Sequence, residues 1–362
     1  MRISFGGLFA LTILGSRGGE AMAQTPPPPP QNPAPAAAAL AAAPKAEISN
    51  GVLKATVLKP DAEAGFYRAT RFDWSGIVSS LKLGDQEYYG LWFDQMAPNV
   101  RDFVLYEGKL VAGPNTAALG PAEAFDPNDP PGFKVAAAGA PFLKIGVGLL
   151  KKPEGADAYN SFRLYDIVDG GAWKTTTARD RVTSTHTLSN AASGWGYVYA
   201  KAVRLVPGKP QMVIEHSLKN TGAKPIKTST FNHNFLTLGG LPTGPGLTVE
   251  APFDLTTRQP IRGDAARIEG KRLIFSRELA DGQTAQAALE GFGPTAADHR
   301  FSVMNATGAG YSVTSDQPLS SLFFWSIRRT ASAEPYITLA AAPGETVKWT
   351  TTYTYAAPKA GR

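Results

Sequence analysis

The clearest fold signal in this sequence is Gln211-Met212-Val213-Ile214-Glu215-His216-Ser217-Leu218-Lys219. Every second side chain from Met212 to Leu218 is apolar or a histidine, and three of the four side chains between and after them are polar or charged. Successive side chains of a strand point to opposite faces of a sheet. The alternation therefore predicts a β-strand with one buried face.

The residues after this strand carry turn chemistry. Asn220 to Pro225 reads Asn-Thr-Gly-Ala-Lys-Pro, and a new alternating run begins at 226, so 211–238 predicts a hairpin. Similar runs rich in Thr, Val, Tyr and Phe recur as far as 355 without a long helical period, and short helical turns are expected near 121–125 and 277–282. The fold class predicted is all-β, as one large antiparallel β-sandwich over 47–358.

Composition excludes several kinds of protein. The chain has no Cys and four His, so it lacks a disulfide framework, a thiolate nucleophile and any local metal motif. The formal charge of +6 comes from 36 basic against 30 acidic residues, and the basic residues are scattered rather than clustered. We therefore expect no metal, no cofactor and no nucleic-acid partner.

The N-terminal residues read as an export signal and a spacer. Residues 1–23 combine Arg2, a short apolar stretch and an Ala21-Met22-Ala23 cleavage pattern, so cleavage is predicted after Ala23. The apolar stretch is too short to span a membrane. Residues 24–46 are rich in Pro and Ala and predict a disordered linker. A periplasmic or secreted location follows from these two segments.

The strongest candidate for a functional site lies in the run from Thr228 to Gly240. In a strand, Phe231, His233 and Phe235 share one face. Aromatic rings stack on the apolar face of a sugar ring, and an imidazole titrates near neutral pH, which together suggest a sugar site. A core histidine satisfied by a backbone carbonyl gives the same pattern, so both interpretations stay open.

Four motifs in the second half of the chain resemble those of the aldose 1-epimerases, or galactose mutarotases. The 228–240 stretch is similar to the family's TNHxYFNLxG signature, and Asp298-His299-Arg300-Phe301 is similar to its DHxF segment. Val313 to Pro318 is similar to the TxxP strand opening, and Glu334-Pro335 with Pro343-Gly344-Glu345 to the EP element and the PGE turn. The motifs occur in the family's order between 228 and 345.

The resemblance implies a fold, an activity and roles for particular residues. The fold is a β-supersandwich that binds a monosaccharide on an open concave face. The activity is general acid–base opening and reclosure of the sugar ring, which interconverts its anomers. The motifs imply Glu334 as the base, His233 as the acid and Asp298 as a ligand of sugar hydroxyls.

The first half of the chain departs from the family pattern. Catalytic members carry a second His in that half, preceded by an Arg, whereas no His precedes His186 here. Glu123 is the candidate to replace that His as a substrate ligand, with a surface Glu on a helical turn as the alternative. Arg71 is the candidate Arg, with a structural ion pair to Asp73 as the alternative.

Three functions remain open from the sequence alone. The chain is an exported epimerase-like isomerase, a sugar- or glycan-binding module that has lost catalysis, or another carbohydrate-active enzyme on the same kind of sandwich. Retention of His233 and Glu334 favours the first, and absence of the second His favours the second. Fold alone does not decide among them.

Overall fold

A computed structural model describes residues 28–359 of the chain. The predicted signal peptide and its cleavage site lie outside the described residues. The described part is built almost wholly of β-strands, which confirms the predicted all-β class. Its helical elements are α1 (Ala36–Ala42) and two short 3₁₀ turns, Leu238–Gly240 and Ala296–Asp298.

Twelve short strands form the first half of the described chain. They are β1 (Ala34–Pro35), β2 (Lys45–Ser49), β3 (Leu53–Leu58), β4 (Val78–Leu83), β5 (Gln86–Glu87), β6 (Gln95–Met96), β7 (Phe103–Tyr106), β8 (Lys109–Ala112), β9 (Ala122–Phe125), β10 (Pro141–Lys144), β11 (Gly148–Lys151) and β12 (Ile167–Asp169).

The second half contributes fourteen strands, most of them longer. They are β13 (Ala172–Ala178), β14 (Arg181–Asn190), β15 (Trp195–Leu205), β16 (Gln211–Asn220), β17 (Ile226–His233), β18 (Thr248–Glu250), β19 (Ala266–Glu269), β20 (Arg272–Phe275), β21 (Thr284–Leu289), β22 (Arg300–Met304), β23 (Gly310–Ser315), β24 (Ser321–Ile327), β25 (Thr330–Ala341) and β26 (Thr346–Ala356).

Two large antiparallel sheets organise the molecule. One has ten strands in the order β13-β14-β15-β16-β26-β23-β22-β18-β20-β19, and the other has five in the order β21-β24-β25-β17-β9. Apolar side chains from both sheets share common buried clusters, so the sheets pack face to face as a sandwich. Three smaller sheets complete the fold: β2-β3-β4-β5, β10-β11-β12 and β1-β6-β8-β7.

The connection between β16 and β17 crosses from one large sheet to the other. Strand β16 pairs with β15 and β26, whereas β17 pairs with β25 and β9. The predicted 211–238 hairpin is therefore wrong, although the buried face predicted for β16 is confirmed. Turn residues report a reversal of the chain, but they do not report which neighbour each strand will choose.

Three further expectations about local structure are corrected. Residues 121–125 belong to strand β9 and residues 277–282 form bends and turns, so neither segment is helical. The predicted linker over 24–46 is ordered from Ala34 onward, through β1, α1 and the start of β2. Alanine is the best helix former, and the apolar side chains of Ala36 and Ala43 are buried against the N-terminal half of the body.

The five-stranded sheet is buried on both faces around β9, the end of β17 and the start of β25. Its inner face packs on the ten-stranded sheet, and its outer face is covered by loops and strands of the first half of the chain, which contribute Phe72, Trp74 and Trp92 to one cluster with Phe231 and Phe235. The two buried faces carry different chemistry.

No helix of the described residues is long and apolar enough to cross a bilayer.

A network of charged side chains lies between the two large sheets. The Lys201 Nζ atom is 3.3 Å from Asp73 Oδ2 and 3.2 Å from Glu123 Oε2, and all three side chains are essentially inaccessible to solvent. Glu123 Oε2 also lies 2.7 Å from His216 Nε2, and its Oε1 accepts a 2.8 Å hydrogen bond from Thr230 Oγ1. A buried carboxylate needs such compensation, because removing its partners leaves a charge that neither water nor protein solvates.

Replacement of Lys201 by Met tests how far the fold depends on this cation. Lys201→Met should lower the free energy of unfolding by about 3–5 kcal/mol, because two carboxylates are left buried without their shared counter-charge. Urea denaturation measures the change. The matched control is Arg181→Met, which breaks a partly exposed pair with Glu215 and should cost at most about 1 kcal/mol. Equal effects of the two substitutions would contradict the role given to Lys201.

Candidate functional site

His233 and Glu334 face one another across two neighbouring strands. The antiparallel register of β17 and β25 pairs Phe231 with Tyr336 and continues to a bridge between Leu236 and Ala331, which sets His233 opposite Glu334. The His233 Nε2 atom lies 3.2 Å from Glu334 Oε1, and each residue is only 4% exposed. Residues 101 positions apart in the sequence thus form one buried acid–base pair.

Aromatic rings enclose this pair on the outer face of the five-stranded sheet. The ring of Phe235 stacks on His233 at 3.7 Å between centroids, and the rings of Trp325 and Phe72 meet it edge-on at 5.2 and 5.9 Å. Tyr336 stacks on Phe231 at 4.3 Å, and its hydroxyl donates to Glu334 Oε2 at 3.4 Å. Ring faces and a few polar atoms are the usual composition of a sugar site.

The backbone just after His233 is strained. Phe235 has φ of 42°, a conformation that a bulky side chain rarely adopts and that costs on the order of 1–3 kcal/mol. The neighbouring segment approaches closely: a Cβ added to Gly120 would lie 1.7 Å from the carbonyl oxygen of Asn234. This conformation places the Phe235 ring between His233 and Trp92, whose ring it stacks on at 5.3 Å.

Burial brings the two members of the pair to an unusual state of protonation. Loss of solvation raises the pKa of Glu334 to about 8, against a smaller opposing effect of the Arg71 charge. Loss of solvation, with the Arg71 charge acting in the same direction, lowers the pKa of His233 well below its ordinary value. Near pH 7 the pair therefore consists of a protonated carboxyl group and a neutral imidazole.

Arg71 lies beside the pair at a partly exposed position. Its guanidinium carbon is 4.7 Å from the centre of the Phe72 ring and 4.6 Å from that of Phe162. The residue is in a loop, and its backbone N–H donates to the hydroxyl of Tyr67. The alternative ion pair with Asp73 is wrong, because Asp73 pairs with Lys201.

Glu123 lies on the other face of the same sheet. Strand β9 sets Glu123 opposite Asn232 and Ala122 opposite His233, so alternation points the Glu123 side chain into the charged network between the sheets. It is neither beside the pair nor on a surface turn. Burial alone would raise its pKa, but His216 and Lys201 hold the pKa of Glu123 well below its ordinary range.

Asp298 is partly exposed and makes no contact with the pair. Its carboxylate accepts hydrogen bonds from the backbone N–H and the hydroxyl of Thr295, which caps the short 3₁₀ turn. These hydrogen bonds lower the pKa of Asp298. The neighbouring His299, not Asp298, is the buried member of this dipeptide, so the orientation expected from the motif is reversed.

Sequence reasoning missed most of the walls of the site. Tyr336 could have been found, because it lies two residues after Glu334 and a strand returns to the same face at that spacing. Phe72, Trp325 and Phe162 could not be found in this way, since they come from separate elements that only the tertiary fold brings together.

Among residues 28–359 no cluster of His, Asp and Glu could hold a metal ion.

Among known proteins, only solved structures match this chain. No protein-family model matches this sequence, and no curated protein matches it significantly. A galactose mutarotase-like protein from Lactobacillus casei is 13% identical, with 86% of this chain and 100% of that chain covered and a TM-score of 0.48. The GalM/aldose epimerase homologue from C. elegans is 14% identical, with coverages of 88% and 100% and a TM-score of 0.46.

A third similar structure is a galactose mutarotase-like protein from Clostridium acetobutylicum. It is 12% identical, covers 86% of this chain and 94% of its own, and has a TM-score of 0.45. The chain is similar to these three structures at 12–14% identity. What it binds and does has to be argued from the geometry of its own site.

The raised pKa of Glu334 predicts a distinct pH dependence of stability. Between about pH 4.5 and 8 the native state holds a proton on Glu334 that the unfolded state has released, so the wild type loses stability as pH rises through this window. Glu334→Gln removes that titration and leaves His233, Tyr336 and Arg71 in place. The stability of the wild type minus that of the variant should therefore fall, by on the order of a few kcal/mol, between pH 5 and 9.

Urea denaturation at both pH values measures this difference. Glu250→Gln is the matched control, because Glu250 is exposed on β18 and its replacement should leave the pH profile of the wild type unchanged. A difference between wild type and Glu334→Gln that stays constant from pH 5 to 9 would show that Glu334 titrates as an ordinary carboxyl group.

Proposed function

We propose that this chain binds a sugar at the His233–Glu334 pair and interconverts its anomers by acid–base opening of the ring. The observation that supports the proposal most directly is the contact of 3.2 Å between an imidazole and a carboxyl group that are walled by aromatic rings. Opening a cyclic hemiacetal requires one group that takes a proton and another that gives one, on oxygens bonded to the same carbon. A protonated carboxyl group beside a neutral imidazole meets that requirement.

The protonation states favour roles opposite to those implied by the family resemblance. The protonated Glu334 gives its proton to the ring oxygen, and the neutral His233 takes the proton of the C1 hydroxyl. The C1–ring oxygen bond breaks and an aldehyde forms. The aldehyde rotates, and reversal of the two proton transfers closes the ring on its other face. This reversal returns a proton to Glu334 and leaves His233 neutral, so the charged pair exists only while the ring is open.

The surrounding rings supply the binding surface. Trp325 and Tyr336 are both partly exposed, while the pair beneath them is almost wholly buried. The apolar face of a pyranose stacks on such rings, and its hydroxyls find the imidazole, the carboxyl group and the phenol. His233 Nδ1 is buried without a hydrogen-bond partner among the described residues, which leaves one polar atom ready for a ligand.

A sugar-binding module without catalysis is the second candidate. Two observations favour it: His233 and Glu334 are each 4% exposed and touch each other, and no His occurs in the first 185 residues to polarise the substrate further. The loss of one such group costs a few kcal/mol of transition-state stabilisation. In this case the pair recognises the sugar and the ring stays closed.

The location proposed for either activity is the periplasm or the medium. The signal pattern over 1–23 supports it, so mass spectrometry of exported protein should find Gln24 at the N-terminus. Full-length protein that stays in the cytoplasm would contradict export without touching the proposed chemistry.

Polarimetry tests catalysis. The wild type should speed the change in optical rotation of freshly dissolved α-D-galactose or α-D-glucose. Glu334→Gln keeps the shape of the side chain but cannot exchange a proton, so the rate should fall by about 10²–10⁴ while sugar binding persists. His233→Asn should have an effect of similar size.

The outcome that separates the two candidates is the behaviour of the wild type. Sugar binding by calorimetry without any acceleration of mutarotation would establish the binding module and reject the isomerase. The control Glu250→Gln should keep the full wild-type rate, since that carboxylate is exposed on β18. A similar loss in the control would show that the Glu334→Gln result does not report on the site.

A further inference from the structure

The guanidinium group of Arg71 has unusual surroundings for a partly buried cation. Two aromatic rings, those of Phe72 and Phe162, lie 4.7 and 4.6 Å from its central carbon. Its Nε atom is buried and has no hydrogen-bond partner in the part of the chain that the structure describes. Rings of this kind stabilise a cation but accept no in-plane hydrogen bond, so the buried Nε donor remains unsatisfied.

The acidic groups near Arg71 do not neutralise it. Asp102 is close enough for the Arg71 charge to lower its pKa, against burial that raises it. The Asp102 carboxylate instead accepts a 2.8 Å hydrogen bond from Thr116 Oγ1, and no ion pair joins it to Arg71 within residues 28–359. Lys144 is also within range of the Arg71 charge, but burial lowers its pKa to about 7, and it offers Arg71 no counter-charge in either state.

The acid–base pair does not neutralise the charge of Arg71 either. With Glu334 protonated and His233 neutral near pH 7, neither side chain offers a negative charge to Arg71, whose field acts on both. Arg71 lies towards solvent from the pair, in contact with Phe72, whose ring in turn contacts His233 at 5.9 Å. A ligand that reaches the pair from solvent therefore passes a guanidinium group whose Nε donor has no partner among the described residues.

We propose that the sugar recognised at the His233–Glu334 pair is anionic and that its carboxylate binds the guanidinium edge of Arg71. This inference rests on the proposed sugar site and names the class of sugar. A carboxylate is favoured because it is planar and accepts two parallel hydrogen bonds from a guanidinium edge whose faces are covered by rings. A uronic acid carries both the hemiacetal and the carboxylate.

Calorimetry with matched sugars tests the proposal. D-galacturonate and D-galactose differ only at C6, and D-galactose 6-phosphate supplies an anion of another shape. The wild type should bind the uronate at least about tenfold more tightly than the neutral sugar, since a charge-assisted hydrogen bond exceeds a neutral one by about that factor. Arg71→Gln should abolish the preference, and Arg71→Lys should keep part of it, because it retains the charge but not the planar fork.

The matched control is Arg101→Gln. Arg101 is exposed, and its guanidinium carbon is 6.0 Å from the Phe162 ring, so it shares the electrostatic surroundings of Arg71 without flanking the pair. This variant should keep the preference for the uronate. Circular dichroism confirms folding of each variant, and the partial effect of Arg71→Lys remains informative if Arg71→Gln does not fold.

Each other outcome has a definite meaning. Equal affinity for the uronate and the neutral sugar, or a preference that survives both Arg71 substitutions, overturns the anionic class and leaves the sugar site standing. Tighter binding of the 6-phosphate than of the uronate overturns the carboxylate assignment. Binding of none of the three sugars rejects the proposed sugar site itself, and the role of Arg71 with it.

Discussion

Burial of both faces of the five-stranded sheet around β9, the end of β17 and the start of β25 is the constraint on which the rest of this structure depends. A sheet in a sandwich usually leaves one face to solvent, whereas here β9, β17 and β25 are covered on the inner face by the ten-stranded sheet and on the outer face by the first half of the chain. A polar side chain in this buried part needs a partner inside the protein, and His233 Nδ1 is an atom that lacks one among the described residues. Strand alternation decides which of the two interiors a side chain enters.

Two buried glutamates show the consequence. Glu123 and Glu334 lie on the same sheet, yet Glu123 points inward and meets Lys201 and His216, while Glu334 points outward and meets a neutral His233 and a phenol. Counter-charges hold the pKa of the first low, and desolvation raises the pKa of the second to about 8. The first carboxylate stabilises the packing of two sheets, and the second is left in the state that proton transfer requires.

How much of this could be predicted from the sequence follows from the range of each interaction. Alternation along a single strand is local, so the buried face of β16 and the shared face of Phe231 and His233 could be predicted. Phe235 lies beyond the end of β17 and reaches the same cluster through its strained backbone, which alternation does not predict. Strand pairing is not local: the chain from β16 to β17 changes sheet, which no turn residue announces. Glu123 was misassigned for the same reason, because its face is set by its pairing with Asn232.

The side chains that cover the site affect both the pKa values of the pair and the entry of a ligand. The cover that desolvates Glu334 and His233 also separates them from water, so a sugar bound as proposed would have to displace contacts of rings such as Trp325 and Tyr336. The strained Phe235, stacked between His233 and Trp92, is held by that same cover. A loosened cover would admit water, return Glu334 towards an ordinary pKa and remove the protonated acid. Ligand entry and the pKa of Glu334 are therefore coupled. Under the proposed function, the bound sugar would have to cover the pair in place of the rings that it displaces, so that water stays out while the ring opens.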